Sequence, residues 1–528
     1  MDLASLAAKT GSVRRSLLRF APVLVLLAIV LADAMRAAST DLWGHIRFGQ
    51  LIASEGHLIP HALFAYSFPP PGPQWIDHEW LAQVIIALCY DAGGVVGLKL
   101  MKLTCTTIMI ILLARANAET GASLTLQFSV LIVTAFTLLP QMQLRPQLFT
   151  FVLLAALVLI LARSTYGRRT TPWVVIALFV PWANLHGGFI VGIVVLATYA
   201  VTTGVVDVWR QAKWSRACRL ALITIVSALA TLINPYGAGV WRVLIGTFRT
   251  PLTMHRIAEY QPLLSLFRSA YSSGAPIFPL VCFLGILGAL LISVVIAPCA
   301  DDLSLVAVAL ILSAASFYAV RNMALAVIVA AVPLTRHAGL ALARSFSGVR
   351  ASPEDASTPL GRPMCLALQG AVAALALSLA VRTGLFSATL PAIADEPVGA
   401  VEFMAAHGVN GNVLCAYRWG VYVIWHQAPL SRVFIDSFEI MYPRRVQADF
   451  LTFNDAEPGA GRVLDAYPND FVLMPTGSAA YSVMMAQAGW RLLYRDPISA
   501  LFARAGSPAT RLAGVPDLAR TAPPSVFP

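Results

Sequence analysis

The chain has 528 residues, 58% hydrophobic and 12% charged, with a net charge of +11 and a mean hydropathy of +0.74. Soluble chains are about half apolar and roughly a quarter charged, so an ordinary soluble domain is excluded. The Lys and Arg sit in short clusters between apolar runs and not along one face, which excludes nucleic acid as the partner and points to membrane lipids. Seven cysteines, at 89, 105, 218, 282, 299, 365 and 415, form no CxxC or paired framework and are expected as free, buried thiols.

Apolar runs of about 17 to 25 residues recur through the first three quarters, and in hydrocarbon such runs must be helices because every backbone polar group needs an internal partner. In chain order, eleven spans are expected near 20–36, 94–114, 121–139, 147–163, 172–185, 187–206, 218–235, 276–297, 302–319, 320–335 and 364–387. The first follows Lys9, Arg14, Arg15 and Arg19 and ends at Ala32-Asp33-Ala34. That arrangement resembles a signal peptide but is read as an uncleaved span that sets the topology. The apolar segment Glu79 to Tyr90 is too short to cross and is expected as an interfacial or re-entrant helix.

With the N-terminus cytoplasmic, the basic loops Arg163–Arg169, Arg210–Arg219 and Arg336–Arg362 fall inside, as the positive-inside rule requires. Counting Glu79 to Tyr90 as a full span would place the first two outside. This topology gathers the polar motifs on the opposite face: the outer loop 37–93, the turn from Gln141 to Gln147, Asn184-Leu185-His186-Gly187-Gly188, Asn234-Pro235-Tyr236-Gly237, Glu259-Tyr260-Gln261-Pro262 and Arg321-Asn322. Residues 1–390 thus form a mainly α, polytopic transmembrane bundle. From 391 to 506 strand-like runs (Asn412–Cys415, Arg432–Ile435, Phe471–Met474) alternate with helical ones such as Val398–Ala406, giving a small periplasmic α/β domain. The Pro- and Ala-rich tail 507–528 is expected to be disordered.

The chemistry concentrates in the first outer loop. If 41–54 is a helix, Asp41, His45 and Phe48 share one face at i, i+4 and i+7, so a carboxylate and an imidazole point into one pocket. Asp77, His78 and Glu79 lie beside Trp75 and Trp80 on the same loop. Asp41 is the first choice for a general base on an acceptor hydroxyl, with His45, Asp77 and Glu79 as further catalytic candidates and His78 lining the pocket. Alternatively, Asp41 caps an interfacial helix while Trp43, Trp75 and Trp80 form an aromatic belt. Arg145 and Arg321 have the shape to hold a phosphate bidentately; the other reading pairs Arg145 with a carboxylate such as Glu259. Asn184 and His186 read as a ligand-lining helix break or as a tight turn, and Tyr260 adjoins Glu259 in the same pocket. In the soluble domain the aromatics read as core, and Asp436 is the stronger functional candidate. The oxygen and imidazole donors lack ligand spacing, so no metal is expected to be required.

The pattern Asp-x-Trp-x-His-x-x-x-Gly, Ile-Pro, then Trp-x-x-x-Glu-Trp-Leu, together with Leu144-Arg145-Pro146-Gln147, Trp182-Ala183-Asn184-Leu185-His186-Gly187, Asn234-Pro235-Tyr236-Gly237 and Arg321-Asn322, resembles the GT-C glycosyltransferases. That resemblance implies a GT-C-like bundle in the bacterial inner membrane that passes a sugar from a polyprenyl-phosphate donor to a glycan, lipid or protein acceptor on the periplasmic face. It also implies an acidic residue of the first outer loop at the centre of catalysis, the position of Asp41, although the acidic pairing common in that superfamily is absent there. Two rivals remain: a transporter or flippase for a lipid-linked or anionic substrate, and a scaffold of a polysaccharide export machine.

Overall fold

The computed structural model describes residues 22–35, 38–167, 172–211, 215–247, 258–265, 267–268, 277–345, 378, 381–382, 384–392, 395–513 and 526–527. Helices α1 (Pro22–Ala34) and α2 (Leu42–Glu55) precede α3 (Trp80–Ala118), α4 (Leu124–Leu138), α5 (Gln147–Thr165), α6 (Pro172–Leu185), α7 (Phe189–Trp209) and α8 (Ser215–Ala230). Then come α9 (Gly239–Thr247), α10 (Phe278–Ile296), α11 (Leu303–Tyr318) and α12 (Met323–Ser345). Six helical stretches are long and apolar enough to cross a membrane, and Pro22–Ala34, Pro172–Leu185 and Leu303–Tyr318 are apolar but shorter. Among the described residues this is fewer than eleven full spans. The expected positions nonetheless fall on helices, except that most of 364–387 lies outside the described residues. Also outside are Lys9, Arg14, Arg15, Arg19, Arg249, Arg256, Cys365 and most of the basic stretch Arg336–Arg362.

The apolar stretch ending α4, α5, α7 and α10 is hydrophobic on all sides, as a helix must be when one face meets lipid and the other meets helices. The span that includes α12 is the axis, with 72% of its apolar window buried against 28% for α10, and α12 packs on α4, α5, α10 and α11. Two features were not anticipated. The segment expected as a separate interfacial helix, Glu79 to Tyr90, is continuous with the following span, and together they form the 39 residues of α3. Gly94 breaks it with φ 55, a conformation that glycine adopts without a Cβ penalty. A straight helix of that length would reach about 58 Å, twice a hydrocarbon core, so the kink separates an arm outside the bilayer from the span.

The second is a buried polar layer inside the span. Lys102 lies 3.3 Å from Asp33, within the Ala32-Asp33-Ala34 stretch, and Thr106 donates to the same carboxylate. Lys99 donates to the carbonyls of Gly384, Ser387 and Thr389. These charges are expensive in hydrocarbon unless paired, and the pairing ties α1 and the 384–389 turn to α3.

The C-terminal domain begins with β1 (Leu390–Pro391) and α13 (Val398–Ala406), followed by β2 (Asn412–Cys415), α14 (Gly420–Gln427), β3 (Arg432–Val433), α15 (Arg444–Asn454) and α16 (Ala460–Ala466). It ends with β4 (Phe471–Pro475), α17 (Ala479–Met485), β5 (Trp490–Arg495), β6 (Ser499–Arg504) and β7 (Val526–Phe527). The sheet order is β3-β2-β4-β6-β5, with β2 parallel to both neighbours and β6 antiparallel to both of its own. The strand-like runs at 412, 432 and 471 are strands, with Ile435 beyond the end of β3.

This domain is not a separate lobe. Residues of the first outer loop extend its sheet: Ala65 bridges Val433 in parallel, with Tyr66 N–H donating to Val433 O and Val433 N–H donating to Phe64 O. Tyr66 Oη donates to Asn469 at 2.6 Å. One hydrophobic core runs from Leu42, Trp43 and Ile46 of α2 through Phe434 and Leu473 of the sheet. The tail, expected to be disordered, forms a 3-10 turn at Pro508–Leu512 and pairs β7 with β1; residues 514–525 lie outside the described residues. Phe527 is fully buried against Trp43, Tyr90 and Trp425. Among the described residues six cysteines are free; Cys105 and Cys415 are buried, Cys89, Cys282 and Cys299 are half-buried, and Cys218 is exposed, so the expected burial holds only in part.

Residues 395–513 produced alone should therefore aggregate or bind a hydrophobic dye, because the β3 edge and the aromatic face of α14 lose their cover. A monomeric fragment that melts cooperatively would contradict the shared core.

Candidate active site

The polar ends of α2, α3, α5, α7 and α12 meet at one end of the bundle, beneath the sheet domain. Asp41 precedes the first turn of α2, and its side chain makes no cap hydrogen bond. It reaches across to Arg145, 3.0 Å away, just before the start of α5. Arg145 is held by Asp41 on Nη2 and by Glu259 on Nη1, the latter at 2.8 Å. Of the two readings of Arg145 above, the carboxylate pairing is thus present. The proposed aromatic belt is not: Trp43 and Trp75 are buried between the loop and the sheet domain.

Glu79, just before α3, is the focus of a second cluster. Its Oε1 lies 3.5 Å from both His78 Nε2 and His186 Nε2, and its Oε2 lies 4.0 Å from His45 Nδ1. Burial, reinforced by the carboxylates of Asp77 and Asp41 and offset in part by Arg321 and Arg145, pushes the Glu79 carboxyl up to about 8. Burial holds His45 and His78 down to about 4, and His186 well below its ordinary value. At neutral pH the cluster is therefore a carboxylic acid among three neutral imidazoles. Asp77 is raised to about 6 by burial and accepts the Glu79 N–H at 2.9 Å, fixing the turn that presents Glu79.

The tautomer of His186 follows from its partners. Nδ1 accepts the Gly188 N–H at 2.9 Å, so in the neutral ring it carries no proton, and the proton sits on Nε2, facing Glu79. Thr150 Oγ1 lies 2.8 Å from the same Nδ1 and itself accepts the Trp182 indole N–H, so its own hydroxyl donates to the ring. The two glycines after His186 permit this approach: a Cβ on Gly188 would lie 2.3 Å from Thr150 Oγ1, and one on Gly187 would lie 2.6 Å from Leu244. Asn184 is engaged on both ends, accepting from Trp80 Nε1 and donating to Val180 O and Ile233 O.

Arg321 sits in the 3-10 turn Val320–Asn322 between α11 and α12. Its guanidinium lies over the Tyr260 ring, 4.4 Å from the centroid, and among the described residues no carboxylate pairs with it. Its field nevertheless reaches Glu79, His78 and His186. The turn is bound to its neighbours by Gln141, which donates to Val320 O, and by Val320 N–H, which donates to Gln261 O. Asp436, the candidate from the soluble domain, accepts from Phe438 N–H and Tyr442 Oη, and so organises the turn that seats Phe438 against His45.

The candidate residues Asp41, His45, His78, Glu79, Arg145, His186, Glu259, Tyr260 and Arg321 are thus brought together. Thr150 was missed, and Trp182 entered only as part of a motif, because a hydroxyl and an indole within apolar runs look like ordinary span residues. Among the described residues no group of His, Cys, Asp or Glu is arranged to hold a metal ion.

The Glu79 carboxyl titrates higher folded than unfolded, where about 4.3 is usual. Between those values the folded state binds more protons, so its stability falls as pH rises. Glu79→Gln should raise the melting temperature, by an amount that grows from pH 5 to pH 8 and then levels off. A gain independent of pH, or a loss, would show that Glu79 is not held as the acid.

No protein-family model matches the chain, and no curated protein matches it. Among solved structures it is similar to the Archaeoglobus fulgidus oligosaccharyltransferase tethered with an acceptor peptide, at 10% identity and TM-score 0.52 over 86% of this chain and 69% of that one. The apo form of the same enzyme gives 11% identity and TM-score 0.50 over 92% and 74%. The mycobacterial arabinofuranosyltransferase AftD gives 16% and 0.47 over 91% of this chain and 39% of that one. ArnT from Cupriavidus metallidurans, bound to undecaprenyl phosphate, gives 12% and 0.43 over 94% and 99%. The two oligosaccharyltransferase structures, at TM-scores of 0.52 and 0.50, show that this chain shares their fold.

Proposed function

We propose that the protein is a membrane glycosyltransferase that takes a sugar from a polyprenyl-phosphate carrier and transfers it to an acceptor hydroxyl or amide of the cell envelope. The observation that carries this reading is the convergence of Asp41, Glu79, Arg145 and Arg321, from four separate segments, at one polar end of the bundle. In this mechanism Asp41, oriented by Arg145, takes the acceptor's proton as it attacks the anomeric carbon. The bond from that carbon to the phosphate oxygen breaks, and the electron pair leaves on the phosphate. Arg321 and Arg145 stabilise the phosphate's charge. Glu79, as the acid form, offers a hydrogen bond to the same developing charge, while the neutral imidazoles of His45, His78 and His186 add no competing cation.

The basic residues Arg163 and Arg210 sit at the ends of α5 and α7 remote from the site, and Arg336 lies in the second half of α12. By the positive-inside rule this supports an inner-membrane protein with its site and sheet domain on the periplasmic side. Asp33, Lys99 and Lys102, three charges that meet where α1 packs on α3, are paired or carbonyl-bound rather than lining a path, which favours group transfer over transport.

The test is purified full-length protein given radiolabelled polyprenyl-phosphate sugars and membrane extract as acceptor. Asp41→Asn and Arg321→Gln should each reduce transfer by at least about 100-fold, the usual scale for a lost base or charge stabiliser. Transfer at the wild-type rate in Asp41→Asn would remove Asp41 from the chemistry. Translocation of an intact lipid-linked sugar without label transfer would replace the enzyme reading with a transporter.

A further inference from the structure

Glu259 and Tyr260 are consecutive residues, and each covers one of the two guanidiniums at the site. Glu259 accepts from Arg145 Nη1 at 2.8 Å, and the Tyr260 ring lies against Arg321. The next residue, Gln261, accepts the Val320 N–H, so the turn that carries the covers is fastened beside Arg321 itself. One short segment therefore occupies both cations at once.

A carboxylate is the side-chain group closest to a phosphate in charge and in the pair of oxygens it offers to a guanidinium fork. Arg145 retains Asp41 on its other terminal nitrogen, and its Nε is buried without a partner, so its donor set is not saturated by Glu259. The surroundings are already acidic, with Asp41 and Glu259 both in contact with Arg145. An added anion would meet like charges at close range in a poorly solvated site, where repulsion is strong. Exchanging Glu259 for one incoming negative charge leaves the local charge unchanged. A doubly charged group would not.

Resting on the glycosyltransferase reading above, we infer that Glu259 is a resident substitute for the donor's phosphate. A lipid phosphodiester with a single negative charge gains Arg145 and Arg321 by displacing Glu259 and Tyr260 together. Glu259 thereby sets donor affinity and favours a monophosphate over a diphosphate carrier. No covalent step is involved; the exchange is one ion pair for another.

The experiment measures binding of farnesyl methyl phosphate, a sugarless prenyl phosphodiester, to the full-length protein in nanodiscs of uncharged lipid. Removing a resident competitor raises the fraction of binding-competent protein, so Glu259→Gln should tighten the apparent Kd by about tenfold. Tyr260→Leu should act in the same direction, and it keeps the test open if Glu259→Gln melts early. Arg321→Gln should weaken binding in either background, and farnesyl diphosphate should gain less than the phosphodiester from Glu259→Gln. A parallel arm with phosphatidylglycerol identifies the source: tightening confined to the prenyl compound assigns the anion to a prenyl carrier, and equal tightening assigns it to bulk lipid. Binding that still depends on Arg321 but is unchanged or weakened by both Glu259→Gln and Tyr260→Leu overturns the substitution while leaving the enzyme reading standing. Binding indifferent to Arg321 overturns both.

Discussion

Arg145 joins three segments through one guanidinium. It takes Asp41 from the start of α2 and Glu259 from the turn after α9, while its own backbone leads into α5. A guanidinium has the fork geometry to hold two carboxylates in one plane, and it stays charged under all conditions the protein meets. Without it, two carboxylates would face each other across a partly desolvated gap. The position of Asp41, and with it the first turn of α2, depends on this contact more than on helix capping, which its side chain does not provide.

The Glu79 cluster works by the opposite principle. Here no cation sits in direct contact, and burial leaves the carboxyl in its acid form among imidazoles that are themselves neutral. The site thus sets the ion pairs around Arg145 beside a neutral half around Glu79, and Arg321 acts on the second through its field. On the proposed reading, such a division keeps a base and an acid a short distance apart.

Much of the site was legible in the sequence because polar residues between apolar runs stand out, and because Asp41, His45, Arg145, His186 and Arg321 cluster at span ends. The helical face shared by Asp41, His45 and Phe48 followed from spacing alone. Tertiary choices were not legible. The fusion of Glu79–Tyr90 with the next span turns on the backbone of Gly94, and a Gly-Gly pair serves a kink or a boundary equally well. Asp33 looked like part of a cleavage motif because its partner, Lys102, lies on another helix. The tail composition suggested disorder, yet Phe527 is an aromatic residue whose docking site exists only after α2, α3 and α14 have come together. The orientation of the His186 ring depends on Thr150 and Trp182, and no local pattern in the chain announces that pairing.

The addition of Phe64–Tyr66 to the sheet carries a consequence for how the molecule is made. Tyr66 and its partner Asn469 are 403 residues apart in the chain, and such distant pairings form late because the intervening polymer must be arranged first. On the topology proposed above, the first outer loop is exported long before the strand it must join has been translated. Its aromatic residues and unpaired backbone are then exposed for the whole of that interval. Assembly of the polar site is accordingly among the last events of biogenesis.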